Sequence, residues 1–121
     1  MSLVLIVDDN DAIRRLVSKI LEREGFQIDE ALDGNEALAC LEDGRAYAAI
    51  VLDLMMPHTT GFQVISTLRE RRPELLPRVV VMTAAVSEVD SAELEGVGAI
   101  ISKPFEIDAL VESVKSCAAS A

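Results

Sequence analysis

Six polar residues in this sequence have side chains that could together bind a cation and a phosphoryl group. They are Asp8, Asp9, Asn10, Asp53, Thr83 and Lys103. Clustered carboxylates repel one another when ionised, so such a group is stable only with a cation among them or with some of them protonated. An ammonium and a hydroxyl beside them could bind an anion that carries several oxygens. These are the parts of a phosphoryl-transfer site.

The residue types favour magnesium over zinc as the cation. Mg2+ takes carboxylate and phosphate oxygens and keeps several waters, whereas zinc prefers histidine and cysteine. The sequence has one histidine, His58, and its two cysteines, Cys40 and Cys117, are too far apart to form a CxxC pair. We therefore interpret the cysteines as reduced thiols without an assigned function and expect a magnesium site.

Asp53 is the candidate nucleophile. It directly follows the apolar run Ala48–Leu52, so a buried strand would hold its carboxylate in a fixed position. Attack of this carboxylate on a phosphoryl group would give an acyl phosphate.

Five short runs predict the strands that must position these residues. They are Leu3–Val7, Gln27–Ala31, Ala48–Leu52, Val79–Met82 and Ala99–Ile101. The first, third and fourth runs lack alternating polar residues, which is typical of strands that are buried on both faces. A helical pattern follows each run.

Apolar stripes and capping residues define the helical patterns. The stripe residues are Ile13, Leu16, Val17, Ile20 and Leu21 in the first helix and Ile107, Leu110, Val111 and Val114 in the last. Asp33 can cap a second helix that runs to about Glu42. A third helix begins near Gly61 and must stop before Pro73. A short, acidic fourth helix is expected over about 87–95.

Alternating strands and helices with apolar strands predict a doubly wound α/β domain with a five-stranded parallel sheet. Ligands of such folds bind at the carboxyl ends of the strands, which is where all six polar residues fall. No repeat, linker or low-complexity segment is found, so residues 1–121 are expected to form a single domain.

Each site residue has a simpler interpretation when it is taken alone. Asp8, Asp9 and Asn10 could cap the first helix. Asp53 could belong to a turn, and Lys103 could be a solvated surface charge. Capping does not need three residues, however, and the convergence of all these groups at one edge favours a functional site.

The composition is that of a soluble globular protein with an acidic surface. The chain has 121 residues, of which 50% are hydrophobic and 26% are charged, and its formal net charge is -10. This charge argues against direct binding to nucleic acid or to an anionic membrane. The apolar runs fall short of the roughly 18 residues of a spanning helix, and residues 1–7 do not resemble a signal peptide. We therefore expect a cytoplasmic protein.

Four segments resemble the motifs of response-regulator receiver domains. They are VLIVDDN at 4–10, VLDLMMP at 51–57 with Gly61, MTA at 82–84 and SKPF at 102–105. The match covers nearly the whole chain, and the motifs lie on the expected elements. The resemblance implies a flavodoxin-like (βα)5 fold with strand order 2-1-3-4-5. It also implies a phosphoacceptor switch of a two-component or phosphorelay pathway, which is a regulatory domain and not an enzyme.

The resemblance implies a role for each acidic residue. Asp53 would accept the phosphoryl group from a histidine kinase or a histidine phosphotransfer protein. Asp9, Asp53 and the backbone carbonyl of Met55 would bind Mg2+ directly, and Asp8 would bind it through water.

Three further residues belong to the switch that the resemblance implies. Thr83 would hydrogen-bond the phosphoryl group and Lys103 would pair with it, while Pro104 is the proline that follows this lysine, often after a cis peptide bond. Phosphorylation would shift an equilibrium between two surface states. The readout would be the affinity for an effector protein, for an output domain outside this chain, or for a second copy in a phosphorylation-dependent dimer.

One position departs from the family pattern. Tyr or Phe commonly lies three residues before the lysine, and in this chain the residue is Ile100. The aromatic ring of the family changes orientation together with the hydroxyl residue at the end of the fourth strand. We therefore expect an atypical output surface.

Three other functions are compatible with parts of the pattern. A haloacid-dehalogenase-like phosphatase also uses an aspartyl nucleophile and Mg2+, but it carries a second acid two residues later, where this chain has Met55. A flavodoxin-like flavin binder needs a hydroxyl- and glycine-rich loop after the first strand, where this chain has acidic and amide residues. A degenerate receiver would keep the fold and act only in docking or dimerisation.

Overall fold

The computed structural model of the protein describes residues 2–57, 59–84 and 91–119. These ranges form a five-stranded parallel sheet in the order β2-β1-β3-β4-β5 with helices on both faces. The strands are β1 (Leu3–Val7), β2 (Gln27–Ala31), β3 (Tyr47–Asp53), β4 (Val79–Thr83) and β5 (Ala99–Ser102). The helices are α1 (Asp11–Arg23), α2 (Gly34–Glu42), α3 (Gly61–Arg71) and α4 (Ile107–Ala119). The doubly wound fold and its strand order are therefore confirmed.

The sheet separates two hydrophobic cores, because successive residues of a strand point to opposite faces. On β1, Leu5 and Val7 pack on one side with residues of α2 and α3, whereas Val4 and Ile6 pack on the other side with residues of α1 and α4. All four side chains are fully buried. Burial on both faces explains why β1 is an uninterrupted apolar run in the sequence.

Side-chain caps fix the positions at which three helices begin. Asn10 caps α1 and Asp33 caps α2, each by accepting a backbone N–H of the first turn. Thr60 and Gln63 form a capping box at the start of α3. The cap at Asp33 agrees with the sequence, and of the residues at positions 8–10 that could cap α1, the structure selects Asn10.

Two residues of the apolar stripes that predicted the first and last helices are exposed. Leu16 on α1 is 49% exposed, and Ile107 at the start of α4 is 55% exposed. The spacing of the stripes therefore predicted the helices correctly, but it did not show that every stripe residue is buried.

The segment between β4 and β5 matches the sequence-based prediction only in part. Residues 85–90 lie outside the described ranges, so the first part of the helix expected over about 87–95 stays a prediction. Its described end is a 3-10 helix, Ser91–Leu94, and Gly96 follows with a φ of 91°. A left-handed backbone of this kind suits glycine and turns the chain towards β5. A second 3-10 helix, Pro73–Arg78, was not predicted.

Candidate functional site

Three carboxylates meet at the carboxyl edge of the sheet. β1 and β3 are paired so that Val7 lies opposite Leu52, and the residues that follow this pair, Asp8 and Asp53, are therefore neighbours. One carboxylate oxygen from each of Asp8, Asp9 and Asp53 lies within 4.8 Å of the other two. Asp8 and Asp53 are buried and Asp9 is exposed, so the cluster opens to solvent on one side.

Lys103 brings a positive charge to this cluster. Its Nζ lies 2.9 Å from Oδ2 of Asp8 and 3.5 Å from Oδ2 of Asp53. The backbone of the lysine is held in place because its N–H donates to the carbonyl of Thr83 at the end of β4, at 2.9 Å. The peptide bond between Lys103 and Pro104 is cis. The structure thus joins the lysine to the acidic cluster, as the sequence predicted.

Hydrogen bonds on several sides fix the buried Asp8. Its Oδ1 accepts the N–H of Asn10 at 2.9 Å, and its own N–H donates to the carbonyl of Ala31 at 3.2 Å. Its backbone carbonyl accepts a hydrogen bond from Nη1 of Arg14 at 2.8 Å. A buried carboxylate is stable only when it is paired and hydrogen-bonded, and Asn10 and Lys103 together meet this requirement. The contact of Arg14 was not predicted from the sequence.

Asp53 combines burial with a mixed charge environment. It is 4% exposed, and its Oδ1 accepts the N–H of Met55 at 3.2 Å. Burial raises the pKa of its carboxyl group; Lys103 lowers this pKa, Asp8 raises it, and the net shift is upward. Additional positive charge next to Asp53 would therefore favour the ionised form.

Gly61 allows the loop after β3 to pack against Asp53. Its N–H donates to the carbonyl of Leu54 at 3.1 Å. A Cβ added to Gly61 would lie 2.6 Å from Cα of Leu54 and closer still to the carbonyl oxygen of Asp53. Protein atoms do not approach so closely, so this packing requires glycine.

Two of the residues predicted for the switch, Thr83 and Ile100, lie on adjacent strands. Thr83 is fully buried at the end of β4, where it pairs with Ser102 of β5. Ile100 pairs with Val81 and is 46% exposed on this edge strand. Thr83 therefore adjoins the acidic cluster and Ile100 the surface, while their roles in a switch stay predictions.

An apolar hollow of about 360 Å³ lies directly beside Lys103. Its lining residues are Ile13, Leu16, Lys103, Pro104, Phe105 and Ile107. The exposed side chains of Leu16 and Ile107 lie here. We call this depression the α1 hollow.

The donor set of the acidic cluster fits a small, hard cation. Carboxylate oxygens are the ligands that Mg2+ prefers, and the cluster of Asp8, Asp9 and Asp53 offers three of them. The ammonium of Lys103 pairs with two of these carboxylates, Asp8 and Asp53, and the pKa of Asp53 is raised mainly by burial. A cation at this point would stabilise the ionised cluster.

A doubly wound sheet with carboxylates, a threonine and a lysine at its carboxyl edge is the architecture of a receiver domain. Comparison with known sequences agrees, since the family model of the response regulator receiver domain matches residues 4–115. The chain belongs to this family and is a receiver domain of two-component signalling. It is thereby distinguished from the phosphatase and flavin-binding families considered above.

Relatives of known sequence include a longer protein. The chain is 41% identical over 115 residues to the transcriptional regulatory protein SrrA of Staphylococcus aureus (strain NCTC 8325 / PS 47), covering 93% of this chain and 46% of SrrA. The chain therefore spans a little under half the length of the curated relatives it matches. In the ranges that the structure describes, no helix is long and apolar enough to cross a membrane.

Solved structures of receiver domains are similar over almost the whole chain. The Francisella response regulator 1452 receiver domain has a TM-score of 0.87 and 30% identity, covering 99% of this chain and 98% of that chain. The response regulator TrrA of Thermotoga maritima, in complex with Mg2+-BeF, has a TM-score of 0.87 and 31% identity, covering 97% and 99%.

Proposed function

We propose that this receiver domain accepts a phosphoryl group on Asp53 from the phosphohistidine of a kinase or a histidine phosphotransfer protein. The observation that carries the proposal is the position of Asp53 at the end of β3. Its buried carboxylate lies with those of Asp8 and Asp9 in one cluster and 3.5 Å from Nζ of Lys103. Membership of the receiver family supports the same function.

The transfer requires the ionised form of Asp53. One of its carboxylate oxygens forms the new P–O bond while the P–N bond of the phosphohistidine breaks. The electron pair of the broken bond leaves with the imidazole, which then binds a proton, and Asp53 becomes an acyl phosphate. The positive charge of Lys103 lowers the pKa of Asp53 and so favours its nucleophilic form.

Mg2+ is the cofactor that the site residues would hold. Asp9, Asp53 and the backbone carbonyl of Met55 would bind it directly, and Asp8 would bind it through water. When bound, Mg2+ neutralises negative charge on the carboxylates and on the phosphoryl oxygens. The acidic cluster of this chain and the Mg2+-BeF complex of the similar TrrA protein support this assignment.

Phosphorylation would redistribute the contacts of Lys103. Its ammonium lies closer to Asp8, at 2.9 Å, than to Asp53, at 3.5 Å. The acyl phosphate carries roughly two negative charges and three phosphoryl oxygens where the carboxylate carried one negative charge, so the ammonium would move towards it, and the hydroxyl of Thr83 would donate to it. Because Thr83 ends β4 and Lys103 directly follows β5, the change would reach the surface around Ile100.

The α1 hollow is the surface that we assign to the protein that donates the phosphoryl group. The hollow adjoins Lys103, and a donor must bring its phosphohistidine into contact with Asp53 next to it. The exposed side chains of Leu16 and Ile107 offer apolar area that a partner protein would bury.

The readout would be a change in affinity for an effector protein, an output domain or a second copy of the chain. SrrA, of which this chain spans 46%, is a transcriptional regulatory protein. The domain has a formal net charge of -10, so any binding to nucleic acid would belong to an output domain outside this chain.

Intact mass after incubation with acetyl phosphate and Mg2+ tests this proposal. We expect one phosphoryl adduct on the parent protein, and no adduct on Asp53→Asn or in the presence of a chelator. A parent protein that binds Mg2+ but forms no adduct with acetyl phosphate or a phosphorylated kinase would instead favour a degenerate receiver that acts by docking or dimerisation.

A further inference from the structure

Arg14 is a buried charged residue that lies beneath the acidic cluster on α1. It is 6% exposed, and its guanidinium donates to three acceptors on three segments of the chain. Nη1 donates to the backbone carbonyl of Asp8 at 2.8 Å, Nη2 to Oδ1 of Asp11 at 2.6 Å and Nε to Oε1 of Glu30 at 2.9 Å. The arginine thus joins the end of β1, the first turn of α1 and strand β2.

These contacts determine the geometry of the peptide that links Asp8 and Asp9. The carbonyl of Asp8 belongs to this peptide, so a hydrogen bond to Arg14 orients the backbone from which both carboxylates project. The N–H of Asp8 is held from the other side by the carbonyl of Ala31, which follows Glu30 on β2. The rigid, planar fork of a guanidinium suits this bridging role better than the single ammonium of a lysine.

We propose that Arg14 is a positioning residue for the metal-binding carboxylates, which it aligns by fixing the Asp8–Asp9 peptide against Glu30 and the start of α1. This inference rests on the proposed function, because it assumes that Asp8 and Asp9 bind Mg2+. Partners that orient metal ligands in this way typically change metal affinity by about 10- to 100-fold when they are removed.

The direction in which Mg2+ affinity changes when Arg14 is replaced distinguishes a positioning role from a purely electrostatic one. If only Coulomb energy mattered, removing a positive charge near a cation site would strengthen cation binding, because a repulsion is lost. If Arg14 positions the ligands, its removal should weaken binding in spite of this gain. Arg15 is the next residue on α1 and is exposed, so Arg15→Met removes the same charge without touching the hydrogen bonds of Arg14.

Calorimetric titration with Mg2+ measures this effect in the parent protein and its variants. We expect Arg14→Met to bind Mg2+ about 10- to 100-fold more weakly than the parent, with Arg14→Lys between the two. Arg15→Met should bind as tightly as the parent or slightly more tightly. Val17→Ala, which opens a cavity in the core under α1, controls for general destabilisation and should leave Mg2+ affinity unchanged.

Circular dichroism establishes that each variant is folded before titration. If Arg14→Met does not fold, Glu30→Asp takes its place, because it keeps the negative charge but shortens the side chain that accepts from Nε of the guanidinium. We expect this variant to bind Mg2+ more weakly than the parent. A folded Arg14→Met or Glu30→Asp protein that binds Mg2+ within twofold of the parent would overturn the inference, whereas a parent that binds no Mg2+ would overturn the proposed function itself.

Discussion

The ammonium of Lys103 lies 2.9 Å from Oδ2 of Asp8, whose side chain has no exposed surface. This ion pair joins the end of β1 to the residue that follows β5, across 95 positions of the sequence. A charge that is removed from water must be compensated by a partner, so the pair connects the chemistry of the site with the stability of the fold.

Replacement of Lys103 by Met is expected to destabilise the metal-free protein. The loss should be about 3 kcal/mol, near the low end for breaking a buried pair, because the lysine side chain keeps 17% exposure. Urea denaturation in EDTA measures this loss, and Mg2+ should restore part of it by supplying positive charge to the same carboxylates.

The matched control for this prediction is Lys115→Met. Lys115 pairs with Glu24 at 2.7 Å, but both side chains are substantially exposed. Its removal should therefore change the free energy of unfolding by less than about 1 kcal/mol. Equal losses in the two variants would show that the Lys103–Asp8 pair contributes no more than a surface pair.

Asp53→Asn is expected to stabilise the metal-free protein at neutral pH. Burial raises the pKa of Asp53, so its ionisation is less favourable in the folded protein than in the unfolded chain. The resulting penalty is absent below the unfolded-state pKa and fully present above the raised folded-state pKa. At pH 7 the variant should therefore melt at a higher temperature than the parent.

Thermal melts in EDTA across the acidic range check this pH dependence. The advantage of Asp53→Asn should shrink as the pH falls through the raised pKa of Asp53, because the parent then carries a neutral carboxyl group as well. An advantage that stays constant or grows on acidification would refute the raised pKa.

Gly61→Ala is expected to disturb Asp53 through the backbone. The added methyl group must displace the Asp53 carbonyl or Cα of Leu54, at a cost of about 1–3 kcal/mol in stability. Misplacement of the carboxylate should also slow adduct formation with acetyl phosphate by about tenfold or more. Stopped reactions analysed by intact mass give this rate.

Gly44→Ala serves as the control for backbone strain. Gly44 has a φ of 80°, and a Cβ there would meet nothing within 4 Å, so the cost of about 1–2 kcal/mol comes from the left-handed backbone alone. The residue precedes β3, at the opposite end of the strand from Asp53, and its substitution should leave the reaction rate unchanged. Equal rates for the two alanine variants would contradict the role assigned to Gly61.

Leu16→Glu is expected to slow phosphoryl transfer from protein donors but not from small-molecule donors. Transfer from phosphorylated histidine kinases should slow by about tenfold, because a charge would enter the apolar α1 hollow. Adduct formation with acetyl phosphate should be unchanged, since a small molecule needs no docking surface. Phosphotransfer from a panel of purified kinases measures the first rate. Leu32→Glu, an exposed leucine outside the hollow, is the control.

If Leu16→Glu slows both reactions equally, the substitution affects the reaction at Asp53 and not the docking of the kinase. Unchanged transfer from every active kinase would remove the α1 hollow from the donor-binding surface.

The sheet could be predicted from the sequence because parallel strands that are buried on both faces are short, uninterrupted apolar runs. β1 and β2 have the predicted bounds, and β3 is longer by one residue at each end. The additional residues, Tyr47 and Asp53, join the strand through backbone pairing, which side-chain type does not reveal. The carboxyl-edge rule then placed the acidic cluster and Lys103 together correctly.

Tertiary contacts account for what the sequence did not reveal. Leu16 belongs to the apolar stripe of α1 and is nevertheless exposed. The stripe is wider than the part of the helix that packs on the sheet, and residue spacing alone does not show this. Arg14 lies three residues before Val17 on the buried face, and this charged residue in a core position was the available signal. Its partners became apparent only when β2 placed Glu30 beside β1.

The most direct test of the switch is to locate the phosphoryl group within the chain. After reaction with acetyl phosphate and Mg2+, borohydride reduction converts an acyl phosphate of aspartate to homoserine, which tandem mass spectrometry of the peptides can assign to one residue. We expect conversion at Asp53 and unmodified Asp8 and Asp9. Conversion at Asp8 or Asp9 in the parent protein, or an undiminished adduct on Asp53→Asn, would contradict the assignment of Asp53 as the phosphoacceptor.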